Sequence, residues 1–207
     1  MSVLFSASSW CKTSNLVLLA AFWMGATSCQ DETIAPVMQS THQAYDLVGF
    51  LDQEAQALQQ QKAASHKTVS EAGAKKESKI IEALNWAEEL APFADADINK
   101  PALKGLFTQT ESTNALGQQV LRYQAKEDAA TNVQEVTYTL DSQDQLVRLQ
   151  ATIVQENMLF KTRKRMHLEA RSGAPGRLTR YQLDEMQKLL LMEADHYSVT
   201  GEVVPGR

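Results

Sequence analysis

Two stretches of the sequence carry side chains whose type and spacing could do chemistry. Asp95-Ala96-Asp97-Ile98-Asn99 sets three oxygen-bearing side chains at alternate positions, the opening spacing of a calcium loop. Such a loop also needs glycine at its sixth position and a bidentate glutamate at its twelfth, where this chain has Lys100 and Leu106. Asp and Asn are therefore read as capping groups that shape a turn before Pro101. The histidines, His42, His66, His167 and His196, include no pair at metal-ligand spacing on a helix or strand. Asp195-His196 is the only adjacent carboxylate and imidazole, and a tight turn between Met192 and Tyr197 accounts for both without catalysis. Hydrolase elbows, phosphate loops, dinucleotide fingerprints and cysteine nucleophiles are absent from the pattern, so no catalytic residue, metal or cofactor is assigned.

The second stretch is basic. Between Phe160 and Arg180, Lys161, Arg163, Lys164, Arg165, Arg171, Arg177 and Arg180 stand against Glu169, a local net charge of +6. In a strand, Lys161, Arg163, Arg165 and His167 share one face at a spacing of roughly 7 Å. Phe160, Met166 and Leu168 point the other way, and Lys164 among them implies a strand end, a bulge or a wet cavity. Four cations in a row repel, so the row needs carboxylates on neighbouring strands or an anionic partner: lipid headgroups, an acidic glycan or an acidic protein. Pairing with carboxylates is the expectation; the anionic partner is the alternative.

The elements that must position these residues follow from periodicity. Ala44, Leu47, Leu51, Ala55 and Leu58 recur at helical steps, predicting a helix from about Ser40 to Lys62. Val69 adds a short strand before a turn at Gly73. A second helix is predicted over Lys76 to Leu90, with Ile80, Ile81, Leu84 and Ala87 as its stripe and Pro92 as its stop. Trp86 is expected to pack partly under the sheet. Beyond Pro101 the period becomes two, with alternation over 121–126, 136–140 and 147–153 and further strands over 160–170, 177–183 and 197–203. Short polar connections such as Asp141-Ser142-Gln143-Asp144 force antiparallel neighbours. Leu189 to Met192, continuously apolar, is either buried on both faces or exposed as a binding surface, and burial is expected. The predicted class is α+β: two N-terminal helices on a curved antiparallel meander of six to eight strands.

The chain has 207 residues, 43% hydrophobic, enough for one ordinary core. Its first 28 residues read as a leader, because Lys12 precedes an apolar run from Leu16 to Met24 too short to span a bilayer. Residues 29–40, with Gln30-Asp31-Glu32 and Pro36, read as a tether, and 41–207 as a single domain with a helical part over 41–92 and a sheet over 101–204. Without the leader, 19 basic residues face 25 acidic ones, which argues against nucleic acid as partner. Cys29 is then the only thiol, so no intramolecular disulfide can form.

Ala26-Thr27-Ser28-Cys29 resembles the lipobox of bacterial lipoproteins, in which small residues precede a cysteine that is acylated and becomes the first residue after cleavage. Here the position three before Cys29 is alanine where many such leaders carry leucine. Ordinary secretory cleavage before Cys29 is the alternative, leaving a free terminal thiol that acylation would otherwise cap. The acidic pair behind Cys29 resembles the surface-export signal of Bacteroidota lipoproteins, and a plain solubilising tether explains it equally. The resemblance implies acylation, palmitate included, at Cys29 and an outer-membrane lipoprotein, periplasmic or surface-exposed. The expected function is a non-catalytic binding or scaffolding domain held on the membrane by its lipid. The alternative is a carrier of lipid or another hydrophobic ligand in a half-barrel cavity.

Overall fold

A computed structural model describes residues 44–71 and 76–206; the leader, Cys29, the tether, His42 and the turn expected at Gly73 lie outside the described residues. Helix α1 (Leu47–Gln60) starts where the Asp46 carboxylate accepts a hydrogen bond from the Gly49 amide at 3.0 Å. It ends where Lys62 adopts a left-handed conformation and the Ala63 amide donates back to the Leu58 carbonyl. Leu47, Leu51, Ala55 and Leu58 form its buried stripe as the 3.6-residue period predicts; Phe50 and Glu54 join them, while Ala44 precedes the helix and is half-buried.

Strands β1 (Ala64–Glu71) and β2 (Glu77–Ile81) follow, and then a one-turn helix α2 (Trp86–Leu90) that runs into 3-10 turns at Ala91–Ala96 and Pro101–Leu103. The remaining strands are β3 (Phe107–Thr113), β4 (Gln119–Ala125), β5 (Val133–Leu140), β6 (Leu146–Glu156), β7 (Phe160–Ala170), β8 (Leu178–Leu189) and β9 (Ala194–Val204). They form one nine-stranded antiparallel sheet in the order β2-β1-β9-β8-β7-β6-β5-β4-β3. From β3 to β9 it is the expected meander; β1 then adds beside β9 and carries β2 as the edge.

Three expectations about this architecture need correction. The second helix is confined to Trp86–Leu90, because Glu77–Ile81 pairs with β1 as an edge strand. Ile80 and Ile81 fit a strand through β-branching as well as they fit a helical stripe, and a neighbouring strand decides between them. The helices are therefore not both N-terminal to the sheet, and the strands number nine. Leu189 to Met192 is not buried: the run straddles the β8–β9 turn, with Leu190, Leu191 and Met192 all exposed.

α1, α2 and the 3-10 turns cover one face of the sheet, here the inner face. Trp86 is fully buried, donates from Nε1 to the Ala63 carbonyl at 3.0 Å, and meets Tyr181 edge-on, as does Phe93. Gly201 lies opposite Tyr181 in the register, where a Cβ would overlap the phenol ring, so only glycine lets β9 approach it. Among the described residues the core cluster runs from Leu47 to Tyr181. The core is set toward one end. β8 is buried at Leu178 and Tyr181 and exposed from Met186 onward, while β6 is buried at Leu146 and Leu149 and exposed at Gln155 and Glu156.

At the buried end Glu54, 1% exposed, accepts backbone hydrogen bonds from Gly176, Arg177 and Leu178 at 3.1, 2.8 and 2.9 Å. Its second oxygen takes Arg177 Nε at 3.2 Å. The Arg177 guanidinium lies over the Phe50 ring and donates to Gln145 at 2.7 Å, which joins α1, the start of β8 and the β5–β6 turn. Gly176, at φ +90°, supplies the backbone conformation that aims these amides at the carboxylate.

Removing this acceptor strands a buried guanidinium and three amides. Glu54→Ala is expected to lower unfolding stability by about 3–5 kcal/mol in urea titration, the cost of breaking a buried pair. A loss below about 1 kcal/mol would mean that helix docking does not depend on it.

Candidate functional site

Because side chains alternate along a strand, β7 delivers Lys161, Arg163, Arg165, His167 and Glu169 to the outer face, which no helix among the described residues covers. The register sets their neighbours. Lys161 lies between Glu156 and Lys188, Arg163 between Val154 and Met186, Arg165 between Thr152 and Asp184, and His167 between Gln150 and Gln182. The row through His167 crosses the sheet as Arg122, Thr137, Gln150, His167, Gln182 and Thr200, a surface of donors and acceptors with no large apolar group.

The row's cations differ in their partners. Lys161 Nζ meets Glu156 at 2.6 Å, an exposed pair that solvent screens. His167 Nε2 lies 3.0 Å from Glu169 Oε1, and this hydrogen bond holds the Glu169 carboxyl below the ordinary glutamate range against its partial desolvation. Arg148 and Arg180 add to the effect through their charge. Among the described residues, no carboxylate lies within 4.0 Å of Arg163 or Arg165. Asp184 faces Arg165 across the strands but accepts from Gln182 Nε2 at 2.9 Å. Arg165, His167, Thr152, Gln150, Gln182 and Asp184 line a shallow depression of about 470 Å³.

The other basic residues scatter. Lys164 is on the inner face, paired with Asp95 at 3.1 Å in an open groove of about 620 Å³ that Glu185 also lines. Arg177 belongs to the Glu54 node, and Arg180 faces Glu169 and Glu202. The net +6 is therefore not one patch: among the described residues Arg163, Arg165, Arg171 and Arg180 are its exposed guanidiniums with no carboxylate within 4.0 Å, and Arg163 and Arg165 are the two that share one face of β7 two residues apart.

Comparison with protein families, with curated proteins and with solved structures finds no match to this chain. The residues stand on their own geometry.

Asp97 and Asn99 act as backbone caps. Asp97 accepts from the Asn99 amide, and the Asn99 side chain accepts from the Ala44 amide and donates to the Tyr45 carbonyl. With Asp95 turned to Lys164, the three oxygens do not converge, and no group of three metal-ligating side chains occurs among the described residues. Asp195 and His196 sit inside β9 and alternate between faces, rather than in the tight turn expected, which lies at Leu190–Glu193. The sequence missed the companions of the basic row, Gln150, Thr152, Gln182 and Asp184. Alternation assigns each to a face, but only the register brings them beside Arg165.

Replacing Lys161, Arg163 and Arg165 together with Gln is expected to leave the thermal midpoint within about 3 °C of the parent, since exposed ion pairs contribute about 0–1 kcal/mol. A fall of more than about 5 °C would make these side chains structural.

Proposed function

We propose that this protein is a lipid-anchored component of the outer membrane, held by acyl chains on Cys29, whose sheet is a non-catalytic binding or scaffolding domain. The uncovered face receives an anionic partner. One observation carries the reading: Arg163 and Arg165 project from one face roughly 7 Å apart with no carboxylate within 4.0 Å among the described residues, and Arg165 opens on a depression whose Thr152, Gln150 and Gln182 can donate to phosphate, sulfate or carboxylate, with Asp184 and Glu135 at its border. Planar guanidiniums suit that role because each offers paired donors to two oxygens at once.

Packing supports a scaffold over a hydrophobic carrier. A carrier needs an enclosed apolar cavity, whereas Trp86, Phe93, Tyr138 and Tyr181 fill the space between helices and sheet, and the groove of about 620 Å³ beside Lys164 is open, with Asp95, Lys100, Lys164 and Glu185 in its lining. The anchor fits an exported chain whose single thiol follows small residues, since two or more acyl chains at about 0.8 kcal/mol per buried methylene hold a protein through salt washing.

Cys29→Ala is expected to move the protein from the membrane fraction to the soluble fraction of cells; retention to the parent's extent would remove the lipoprotein reading. The face has its own readout. Despite its net negative charge, the protein should be retained on a sulfated-polysaccharide matrix at low ionic strength, and Arg163→Gln with Arg165→Gln should elute at clearly lower salt. Equal elution of parent and variant would take the partner elsewhere.

A further inference from the structure

The exposed end of the sheet carries an apolar tip that the basic face does not explain. The β6–β7 turn presents Met158, 91% exposed, and Leu159, and the β8–β9 turn presents Leu190, Leu191, 98% exposed, and Met192. The two turns form one surface: the Leu190 amide donates to the Leu159 carbonyl at 2.8 Å, and Phe160 faces Leu189 in the register. Both turns are held in place. Asn157 Oδ1 accepts from the Leu159 and Phe160 amides at 2.8 and 3.0 Å, and the Met192 amide donates to the Leu189 carbonyl. Leu191 has φ +66°, a left-handed conformation that costs a leucine strain and that keeps its side chain clear of the protein.

We infer that this tip inserts into the apolar layer of a phospholipid bilayer, with the basic end of the outer face against its headgroups. The inference deepens the reading above, on which it rests for the anionic partner, by naming that partner as phospholipid at the Lys161 end of the face. Leu191 and its apolar neighbours on both turns project from the extremity of the sheet, a shape that suits a fluid apolar layer able to close around each side chain. The charges behind the tip are arranged to match. Lys188 lies opposite Lys161 on the outer face, where Glu156 already neutralises Lys161 at 2.6 Å; Lys188 and, two residues behind, Arg163 are the cations near the tip with no carboxylate within 4.0 Å among the described residues. Glu185 and Asp195 lie on the other face, which tilts the domain so that its outer face meets the headgroups. Aliphatic burial together with attraction to anionic lipid is the usual source of interfacial binding. The anchor is compatible with this pose. Fifteen peptide steps separate Cys29 from Ala44, a reach of up to about 50 Å, against about 35 Å along β6 from the Tyr45 end to the tip.

The test uses residues 30–207, which contain every described residue of the core and lack Cys29, in flotation with vesicles. One set is phosphatidylcholine with about 30% phosphatidylglycerol, the other phosphatidylcholine alone. The parent should float with the anionic vesicles and less with the neutral ones. Leu190→Ser, Leu191→Ser and Met192→Ser together should cut the bound fraction about ten-fold or more at an unchanged thermal midpoint. Leu116→Ser, an exposed leucine in the β3–β4 turn at the opposite end of the sheet, should float like the parent. A parent that stays with the dense fraction in both sets, or a triple variant that floats equally well, overturns the inference, as does a triple variant that only abolishes a concentration-dependent dimer. Retention on the sulfated matrix tells the two proposals apart: a parent retained there but absent from vesicles leaves the basic face standing and removes the tip.

Discussion

The Glu54 carboxylate is the constraint on which the arrangement of this domain depends. A helix interior rarely buries an acidic side chain, and this one is tolerated because three consecutive amides and a guanidinium point into it. Those donors belong to the start of β8, so α1 can dock in one place and at one angle, with Phe50 beneath Arg177 and Leu58 in the core. The chain then has to cross from α1 to β1, which pairs with β9, and the order of the sheet follows. Fixing α1 to the buried end of β8 also decides which face stays open, because a single helix of 14 residues and one helical turn cannot cover both sides.

What the sequence discloses of this is its local part. Alternation over 121–126, 136–140 and 147–153 marks three strands and their buried faces, because each strand has one side in the core and one in water. β3 escapes the same test: Thr108 to Thr113 contains no apolar residue, since the strand lies at the edge with nearly every position exposed. β2 escapes because Ile80 and Ile81 satisfy two periods. Leu189 to Met192 misleads for a different reason. A continuous apolar run is strong evidence of burial only if the protein must hide it, and here the run turns a corner in the open.

For the candidate site the same division holds. That Lys161, Arg163, Arg165 and His167 share a face was legible from a period of two. That Lys161 has Glu156 while Arg163 has Val154 and Met186 was not, since those pairings are fixed by strand register rather than by any local pattern. The Glu54–Arg177 pair joins residues 123 positions apart, and in the sequence Arg177 was one more member of a basic stretch.

The two ends of the sheet differ in how far the helices cover them. β6 to β9 hold 11 or 12 residues each, some 35 Å of strand, while α1 is about 21 Å long. Strands that outrun their helical cover must expose their far ends, and a sequence under pressure only to stay soluble would fill those ends with charge. This one places Glu156, Lys161 and Lys188 just behind the turns and sets Met158, Leu159, Leu190, Leu191 and Met192 in the turns themselves, with Asn157 and Glu193 at their edges. The order matters: polar groups near the body and apolar groups at the extremity invert the arrangement that hides hydrophobic surface from water. The fold tolerates such an inversion because the core residues, Trp86 and Tyr181 among them, lie at the buried end and not at the tip. The far end is thereby free of any role in the core, and its residues answer only to what they meet.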